Sequence, residues 1–435
     1  MRILLLIFFI SAVAVHSAPL APVVPLAAQP SAHFDVDAAT NAWLATVPAA
    51  SKARSDAYFE GGYWLTLWDF LYTAAVMIVL LETWLSAKLR DAAERLSRFR
   101  TVQSVLYWIE FLAVTSALLF PLTVYEDFFR EHQYGLSNQS FGSWFLDQLI
   151  ALAVTFVLGG LAFAVVMAIV RRLPRTWHWW GAAFGVLFFA FVAMIAPVFL
   201  FPLFNKFTPL PDSSLKREIL SLARANGIPA KDVYEVNASR QSNRVSANVS
   251  GFLGTERITL NDNLLNRCSP QAILSVMGHE MGHYVMRHIV NTTLFLAIAL
   301  TILFGVLRWA LDGTLQWRAE RWRVRGIGDA AVLPLAVLIL AALNLLATPI
   351  GNSFVRMQEQ QADIFGLNAA RQPDGEAEVD LLLGEYRKLN PGPLEEILFF
   401  DHPSGRARIQ AAMRWKAENL CLFDAKLPCP AKTAR

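Results

Sequence analysis

The chain has 435 residues, of which 55% are hydrophobic and only 17% are charged, and its mean hydropathy is +0.39. Soluble domains carry more charge than this, so the composition indicates a multi-pass membrane protein. The net charge of +3 is too small to indicate a nucleic-acid partner, and three cysteines exclude a dense disulfide framework.

Residues 1–18 have the pattern of a secretory signal, in which Arg2 precedes about a dozen apolar residues and Ser17 and Ala18 supply a small-residue cleavage site. The stretch is short for a membrane span, which favours a cleaved signal peptide and leaves a retained signal anchor as the alternative. Residues 19–60 are rich in Ala and Pro and then polar, so we expect an exposed lead-in.

Six further apolar stretches are long enough to cross a bilayer, at roughly 20 residues each. They lie near 63–86, 104–125, 145–170, 178–203, 289–311 and 329–351. The chain thus divides into a four-span membrane region at 61–203, a catalytic segment at 204–288, a two-span membrane region at 289–351 and a C-terminal catalytic segment and tail at 352–435. The predicted fold is mainly α, a polytopic membrane helical bundle.

The polar segment at 204–288 contains shorter elements. Helical periodicity covers 212–226, and a strand-like run follows at 233–236. Two more strand-like runs, at 244–249 and 257–260, flank a glycine-containing turn and predict a small β-hairpin.

Basic residues are concentrated in alternate loops. Loops 87–103, 171–176 and 308–328 hold five, three and five Lys or Arg residues, whereas loop 126–143 holds only Arg130. With six spans the three basic loops share one side, which the positive-inside rule makes cytoplasmic. The polar catalytic segments then face the periplasm of a bacterial inner membrane, as a cleaved signal peptide also predicts.

The tail carries Cys421 and Cys429, eight positions apart. A disulfide between them would persist only in an oxidising compartment, which agrees with a periplasmic tail. Two free thiols are the alternative, and the sequence leaves both open.

The most specific motif is His279-Glu280-Met281-Gly282-His283, on a predicted helix that begins near Pro270. On a helix the two histidines lie one turn apart on one face, so both imidazoles can reach one metal ion. Glu280 lies beside them and can take a proton from a bound water. The motif therefore predicts a hydrolytic zinc site with one Zn²⁺ per chain.

Two histidines need a third ligand and an open position for water. Glu359, in the polar stretch that leaves the sixth span, is the best candidate because a carboxylate on a second helix completes a two-His, one-carboxylate site. Asp363 lies one turn later, where it can accept a hydrogen bond from a ligand imidazole and fix its tautomer.

These features resemble the integral-membrane zinc metallopeptidases of the CAAX prenyl protease type, the a-factor-converting endopeptidases. The resemblance runs from about residue 60 to about residue 415 and rests on motifs that follow one another in order. They are 131–139, 204–211, 239–251, 257–265, the zinc-binding motif, 356–363, and His402-Pro403-Ser404 followed by Arg408.

The resemblance implies that His279, His283 and Glu359 bind zinc and that Glu280 is the general base. It places His402 beside the scissile carbonyl, where the imidazole helps to stabilise the oxyanion. The family also implies that the spans enclose a large chamber with the zinc site at its wall.

Three further residues receive roles from the same resemblance. Arg408 would be a supporting or substrate-binding group, and the strand that contains Ala247 and Asn248 would be the edge that pairs with an extended peptide substrate. The expected partners are therefore a peptide or protein substrate and membrane lipid.

The chain departs from the family pattern at several places. The edge strand reads Ser-Ala-Asn-Val at 246–249 where eukaryotic members place Asn-Ala before an aromatic residue, and Val355 stands where they usually have serine. The signal-like segment replaces their first transmembrane helix. The family's site is expected to open to the cytosol, whereas the basic loops place it on the periplasmic side.

The function that fits these residues is a zinc-dependent membrane endopeptidase for protein maturation or for quality control of membrane and envelope proteins. The alternative is a catalytically inactive zinc-binding membrane chaperone or binding module. A transporter is disfavoured because the polar groups concentrate outside the spans.

Overall fold

The fold is given by a computed structural model that describes residues 23–250 and 256–427. The predicted signal at 1–18 lies outside the described residues. So does Cys429, and with it the predicted pairing to Cys421.

Helices make up most of the described chain, and its six longest are apolar enough to cross a membrane, which confirms the six predicted spans. In chain order the helices are α1 Val36–Leu44, α2 Ala49–Glu82, α3 Leu85–Leu96, α4 Arg100–Gln133, α5 Phe141–Arg172, α6 Trp177–Leu203, α7 Ser214–Ala225, α8 Asp262–Arg267, α9 Pro270–Val285, α10 His288–Trp322, α11 Ala330–Ala370, α12 Pro373–Leu383, α13 Pro393–Phe399 and α14 Gly405–Glu418. The six candidate spans are α2, α4, α5, α6, α10 and α11.

The ends of these long helices differ from the predicted spans for identifiable reasons. Helix α2 ends at Glu82, four residues before the predicted end, because Trp84 has a left-handed backbone with φ of 59° that turns the chain into α3. Helix α11 continues far beyond the predicted end at 351, since its polar part packs against the catalytic segment.

The six long helices form a closed ring. Each packs on the next in the order α2, α4, α5, α6, α10 and α11, and α11 packs on α2 again. Asp69, Glu126 and Gln148, which lie on α2, α4 and α5, line a polar cavity of about 530 Å³. None of the three predicted zinc ligands lines this cavity, so a large chamber with the zinc site at its wall stays a prediction.

A four-stranded mixed sheet covers one end of the ring. Its strands are β1 Phe207–Pro209, β2 Val233–Val236, β3 Ala247–Ser250 and β4 Arg257–Asn261, in the order β1-β2-β4-β3. The predicted β-hairpin corresponds to the antiparallel pair β3–β4, whereas β1 was not predicted.

Strand β3 begins three residues later than predicted. The amide side chains of Asn261 and Asn263 both donate to the carbonyl of Arg244, and Asn263 also donates to the carbonyl of Ser242. Before Ser246, whose carbonyl still accepts from the backbone N–H of Asn261, these side-chain hydrogen bonds hold the chain outside the regular ladder of β4. Because β4 is its only neighbour in the described sheet, β3 is an edge strand.

The segment before α2, expected to be an exposed lead-in, is partly packed. Trp43 on α1 is 3% exposed and lies in an apolar cluster with Ile409 and Met413 of α14. The buried ammonium of Lys416 donates to the carbonyl of Ala28. Residues 26–44 therefore brace the helix that follows the His402 loop.

The three basic loops meet at the end of the ring that lies opposite the sheet. Arg90 of the first pairs with Asp329 after the third, and Arg171 donates to the carbonyl of Gly328 at 3.0 Å. Arg308 donates to the carbonyl of Arg175. This grouping is what the alternation of basic loops predicts.

Candidate active site

The zinc-binding motif lies on α9, which has a well-formed start. Ser269 caps the helix by accepting from the backbone N–H of Ala272, and Pro270 occupies the first turn, where its missing N–H costs nothing. A fixed N-terminus sets the register of the helix, so the two motif histidines face α11.

Glycines allow α9 and α11 to approach closely where the candidate ligands lie. A Cβ on Gly366 would lie 2.8 Å from the backbone nitrogen of His279, and a Cβ on Gly278 would lie 3.0 Å from the carbonyl oxygen of Gly366. No larger residue fits at this crossing without separating the helices. The contact brings Glu359 of α11 opposite the histidines.

The three predicted ligands converge on one point. The Nε2 atoms of His279 and His283 are 3.0 Å apart, and they lie 3.2 and 3.4 Å from the carboxylate oxygens of Glu359. Ligand atoms bound to a tetrahedral zinc at about 2.0–2.1 Å lie about 3.3 Å from one another. The donor types and their separations therefore fit Zn²⁺ with one position open.

A charged network holds His279. Its Nδ1 lies 2.8 Å from an oxygen of Asp363, and the guanidinium of Arg408 donates to both oxygens of the same carboxylate, from Nε at 3.0 Å and from Nη2. Arg408 is 8% exposed and also contacts Glu376 and Asp380, each at 3.3 Å. These contacts make Arg408 a supporting residue in this geometry rather than a free substrate-binding group.

Three carboxyl groups around one guanidinium would carry excess negative charge if all were ionised. Burial raises the pKa of the Asp380 carboxyl well above its ordinary value, and its Oδ2 has no hydrogen-bond partner among the described residues. Burial therefore favours the protonated form of Asp380 beside Arg408. Sequence reasoning did not find Asp380 or Glu376, because neither lies in a metal-ligand pattern.

His283 is held by neutral groups. Its Nδ1 lies 2.8 Å from Nδ1 of His288, and Nε2 of His288 lies 3.2 Å from Oε1 of Gln361. Arg287 adopts a left-handed backbone with φ of 57° between α9 and α10, which folds His288 back over the motif. His288 was not predicted from the sequence. Its position five residues after His283 could have indicated that it contacts this ligand candidate.

Glu280 and His402 line one cavity of about 210 Å³ with His279, Glu359 and Arg408. Nε2 of His402 lies 3.3 Å from Glu359, and its Nδ1 lies 2.8 Å from the carboxylate of Asp401. The loop before α14 therefore brings His402 to the metal-facing side of the cavity, as the resemblance implied.

Burial sets the protonation of two groups in this site. It raises the pKa of the Glu280 carboxyl to about 7, the range in which a carboxylate both accepts and releases a proton. It lowers the pKa of the His283 imidazole to about 4, which favours the neutral form that a metal ligand requires.

The edge strand β3 lies along the same cavity. Ala247 and the preceding Ser246 line it together with Glu280, and both also line a second cavity of about 370 Å³ that includes Asn248. The structure thus groups eight of the nine predicted residues in or directly behind one cavity, with Asn248 beside it. Those nine are His279, Glu280, His283, Glu359, Asp363, His402, Arg408, Ala247 and Asn248.

Two family models together match most of the chain. Residues 41–206 match the family model of the CAAX prenyl protease N-terminal region, described as five membrane helices, and residues 209–416 match peptidase family M48. The chain is 32% identical over 340 residues to a Bacillus subtilis protein named uncharacterized metalloprotease YhfN, covering 78% of this chain and 79% of the relative.

More distant relatives extend the comparison. CAAX prenyl protease 1 of Saccharomyces cerevisiae is 28% identical over 333 residues, covering 72% of this chain and 74% of the yeast protein. The crystal structure of S. mikatae Ste24p matches with a TM-score of 0.71 at 24% identity, over 85% of this chain and 89% of that one, and this likeness shows the fold. The chain therefore belongs to peptidase family M48 and is a membrane metalloprotease of the CAAX prenyl protease type.

Proposed function

We propose that this protein is a zinc-dependent endopeptidase that hydrolyses peptide bonds in extended segments of membrane or envelope proteins. The observation that carries the proposal is the convergence of His279, His283 and Glu359 at 3.0–3.4 Å, with Glu280 and His402 lining the adjoining cavity. A purely structural metal site would need no open position and no base.

Zinc held by His279, His283 and Glu359 would supply Lewis-acid activation of water and of the scissile carbonyl. Glu280 takes the proton of the attacking water and passes it to the leaving amine, a role that its raised pKa suits.

His402 stabilises the oxyanion that develops on the scissile carbonyl. The carboxylate of Asp401 lies 2.8 Å from Nδ1 and fixes the orientation of the ring, so Nε2 lies 3.3 Å from Glu359. A hydrogen bond to the oxyanion is worth about 3–4 kcal/mol in well-placed cases.

Strand β3 positions the substrate. Its outer edge has no neighbouring strand among the described residues, and an extended peptide that adds there as a further strand would place successive residues past Ala247 and Asn248. Backbone pairing selects for unfolded or extended chains and is tolerant of side-chain identity, which suits turnover of misfolded proteins as well as maturation.

We place this site on the periplasmic side of a bacterial inner membrane. The three basic loops lie together at the other end of the ring, and the positive-inside rule assigns that end to the cytoplasm. The yeast relative is named for a CAAX prenyl substrate, and a periplasmic site favours envelope proteins over that class.

The base assignment is tested with Glu280→Gln, and Glu320→Gln on the exposed surface of α10 serves as the matched control. We expect Glu280→Gln to retain stoichiometric zinc and to lose nearly all cleavage of an unfolded reporter protein, while the control keeps both. Retained cleavage by Glu280→Gln would remove the assignment. Zinc-loaded wild-type protein that binds the reporter without cutting it would establish the inactive chaperone instead.

The orientation is tested with C-terminal fusions expressed in a Gram-negative host. Alkaline phosphatase folds to an active enzyme in the periplasm, whereas green fluorescent protein becomes fluorescent in the cytoplasm. A periplasmic site predicts an active phosphatase fusion and a dark fluorescent-protein fusion, and the reverse pair would place the site in the cytosol.

A further inference from the structure

A second polar cavity lies at the basic end of the ring, far from the candidate active site. Its volume is about 230 Å³, and it lies where α4 begins, α5 ends and α11 begins, with α3 along one side. Four arginines line it, together with Gln103, Tyr107 and Asp329; they are Arg90, Arg100, Arg171 and Arg325.

Two of these arginines are neutralised within the protein. Arg90 pairs with Asp329 and with Asp91. Arg325 pairs with Asp91 at 3.1 Å and with Glu94 at 2.7 Å. The acidic groups of the cavity are therefore already occupied.

The other two arginines form no ion pair with any described residue. Arg171 donates from Nε to the carbonyl of Gly328 at 3.0 Å, and from Nη1 to Ser104 at 2.9 Å and to the carbonyl of Arg100 at 3.3 Å. All three acceptors are neutral, and no described group accepts from Nη2 of Arg171. Glu94 and Asp329 also line the cavity, but each is already paired with Arg325 or Arg90, so the four arginines leave a net positive charge there.

The start of α4 adds backbone donors to the same cavity. Phe99 occupies the cap position, and its side chain has no atom that can accept a hydrogen bond. The first N–H groups of this long helix therefore have no side-chain cap. Such a helix start favours an anion, and here it coincides with the unpaired guanidinium groups.

The surroundings of the cavity indicate where the anion comes from. The loops and helix ends at this end of the ring, at 82–100, 171–177 and 308–329, hold thirteen Lys or Arg and six Asp or Glu residues. Exposed apolar residues flank the cavity lining, since Phe99 is 59% exposed and Val102 is 43% exposed. Trp179 and Trp180, at the start of α6, are 57% and 56% exposed, as in the aromatic belts of membrane–water interfaces.

We propose that this cavity binds the phosphate group of an anionic phospholipid, with Arg100 and Arg171 as the anion-binding residues. The phosphate lies between the two guanidinium groups and the start of α4, and the acyl chains run along the apolar surface beside Phe99. A headgroup bound here joins α3, α4, α5 and α11 at one point, so it stabilises the ring.

The test uses purified, zinc-loaded, full-length protein in a neutral detergent. Phosphatidylglycerol, phosphatidylcholine and inorganic phosphate are added separately, and binding is followed by native mass spectrometry and by the thermal denaturation midpoint. The variants are Arg171→Gln and Arg100→Gln, and Arg172→Gln, an exposed neighbour outside the cavity lining, is the control. Arg100 is exposed, so Arg100→Gln keeps the test valid if Arg171→Gln does not fold.

We expect phosphatidylglycerol to bind and to raise the denaturation midpoint more than phosphatidylcholine does. Each cavity variant should bind it about tenfold more weakly, the loss of one charged hydrogen bond, whereas Arg172→Gln should stay within about twofold of wild type. The same arginine dependence with inorganic phosphate would assign the site to a soluble phosphate compound. Equal binding of both lipids, or binding unchanged by Arg100→Gln, would overturn the proposal. Peptidase activity is not measured in this test, so its result is independent of the proposed function.

Discussion

The two histidines proposed as zinc ligands, His279 and His283, lie one turn apart on the same helix, yet the protein holds them by opposite means. Behind His279 stands a charged network of Asp363 and Arg408, buried to 5% and 8% exposure. Behind His283 stands the neutral pair His288 and Gln361.

The difference separates two tasks. The charged network links α9 to α11, α12 and α14, so it fixes the relative positions of helices as well as one imidazole. The neutral pair also joins α9, α10 and α11, but it does so without charge, and it fixes the tautomer of His283. A zinc ligand uses Nε2, so the Nδ1–H of His283 donates to His288, whose Nε2–H donates to Gln361.

The largest loss of stability and of zinc affinity is expected from Asp363→Ala. Removing this carboxylate leaves the Arg408 guanidinium buried with less compensating charge, which costs about 3–5 kcal/mol of stability in comparable buried pairs. It also releases Nδ1 of His279, so zinc affinity should fall about 10–100-fold. Thermal denaturation and zinc competition with a chelator measure the two effects.

Asp363→Asn separates these contributions. The amide oxygen still accepts from Nδ1–H of His279, but the charge that balances Arg408 is lost. We therefore expect Asp363→Asn to be destabilised and to retain more zinc affinity than Asp363→Ala. An Asp363→Ala protein that melts like the wild type would show that the network does not join the helices.

The sequence predicted the candidate ligands and base better than it predicted the residues that hold them in place. His279, His283 and Glu280 are fixed by the one-turn spacing of a helix, and the six spans follow from apolar length alone. Glu376 and Asp380 could not be predicted, because they reach Arg408 through the packing of α12 on α9 and α14, which no local pattern records. Strand β1 was missed for a similar reason, since a three-residue strand is defined by its partner β2 rather than by its own residues.

A smaller and more specific effect is expected from His288→Ala. Zinc affinity should fall about 10–100-fold because His283 loses its hydrogen-bond acceptor, whereas the denaturation midpoint of the zinc-free protein should change little. His288→Asn offers an amide oxygen near the position of Nδ1 and should restore much of the affinity. If the Ala and Asn variants bind zinc equally weakly, His288 acts through packing and not through the tautomer of His283.

The smallest effect, and one of opposite sign, is expected from Asp380→Asn. Burial favours the protonated form of Asp380 in the folded protein, whereas the unfolded chain releases this proton above an ordinary pKa of 3.8, so wild-type stability should fall as pH rises above that value. The amide that replaces the carboxyl would keep an acceptor for Arg408 without that cost. The denaturation midpoint of Asp380→Asn should therefore rise relative to that of the wild type between pH 5 and pH 8, with Asp212→Asn at an exposed site as the control substitution. A difference that does not grow with pH would mean that Asp380 is ionised and belongs to the charge that holds Arg408.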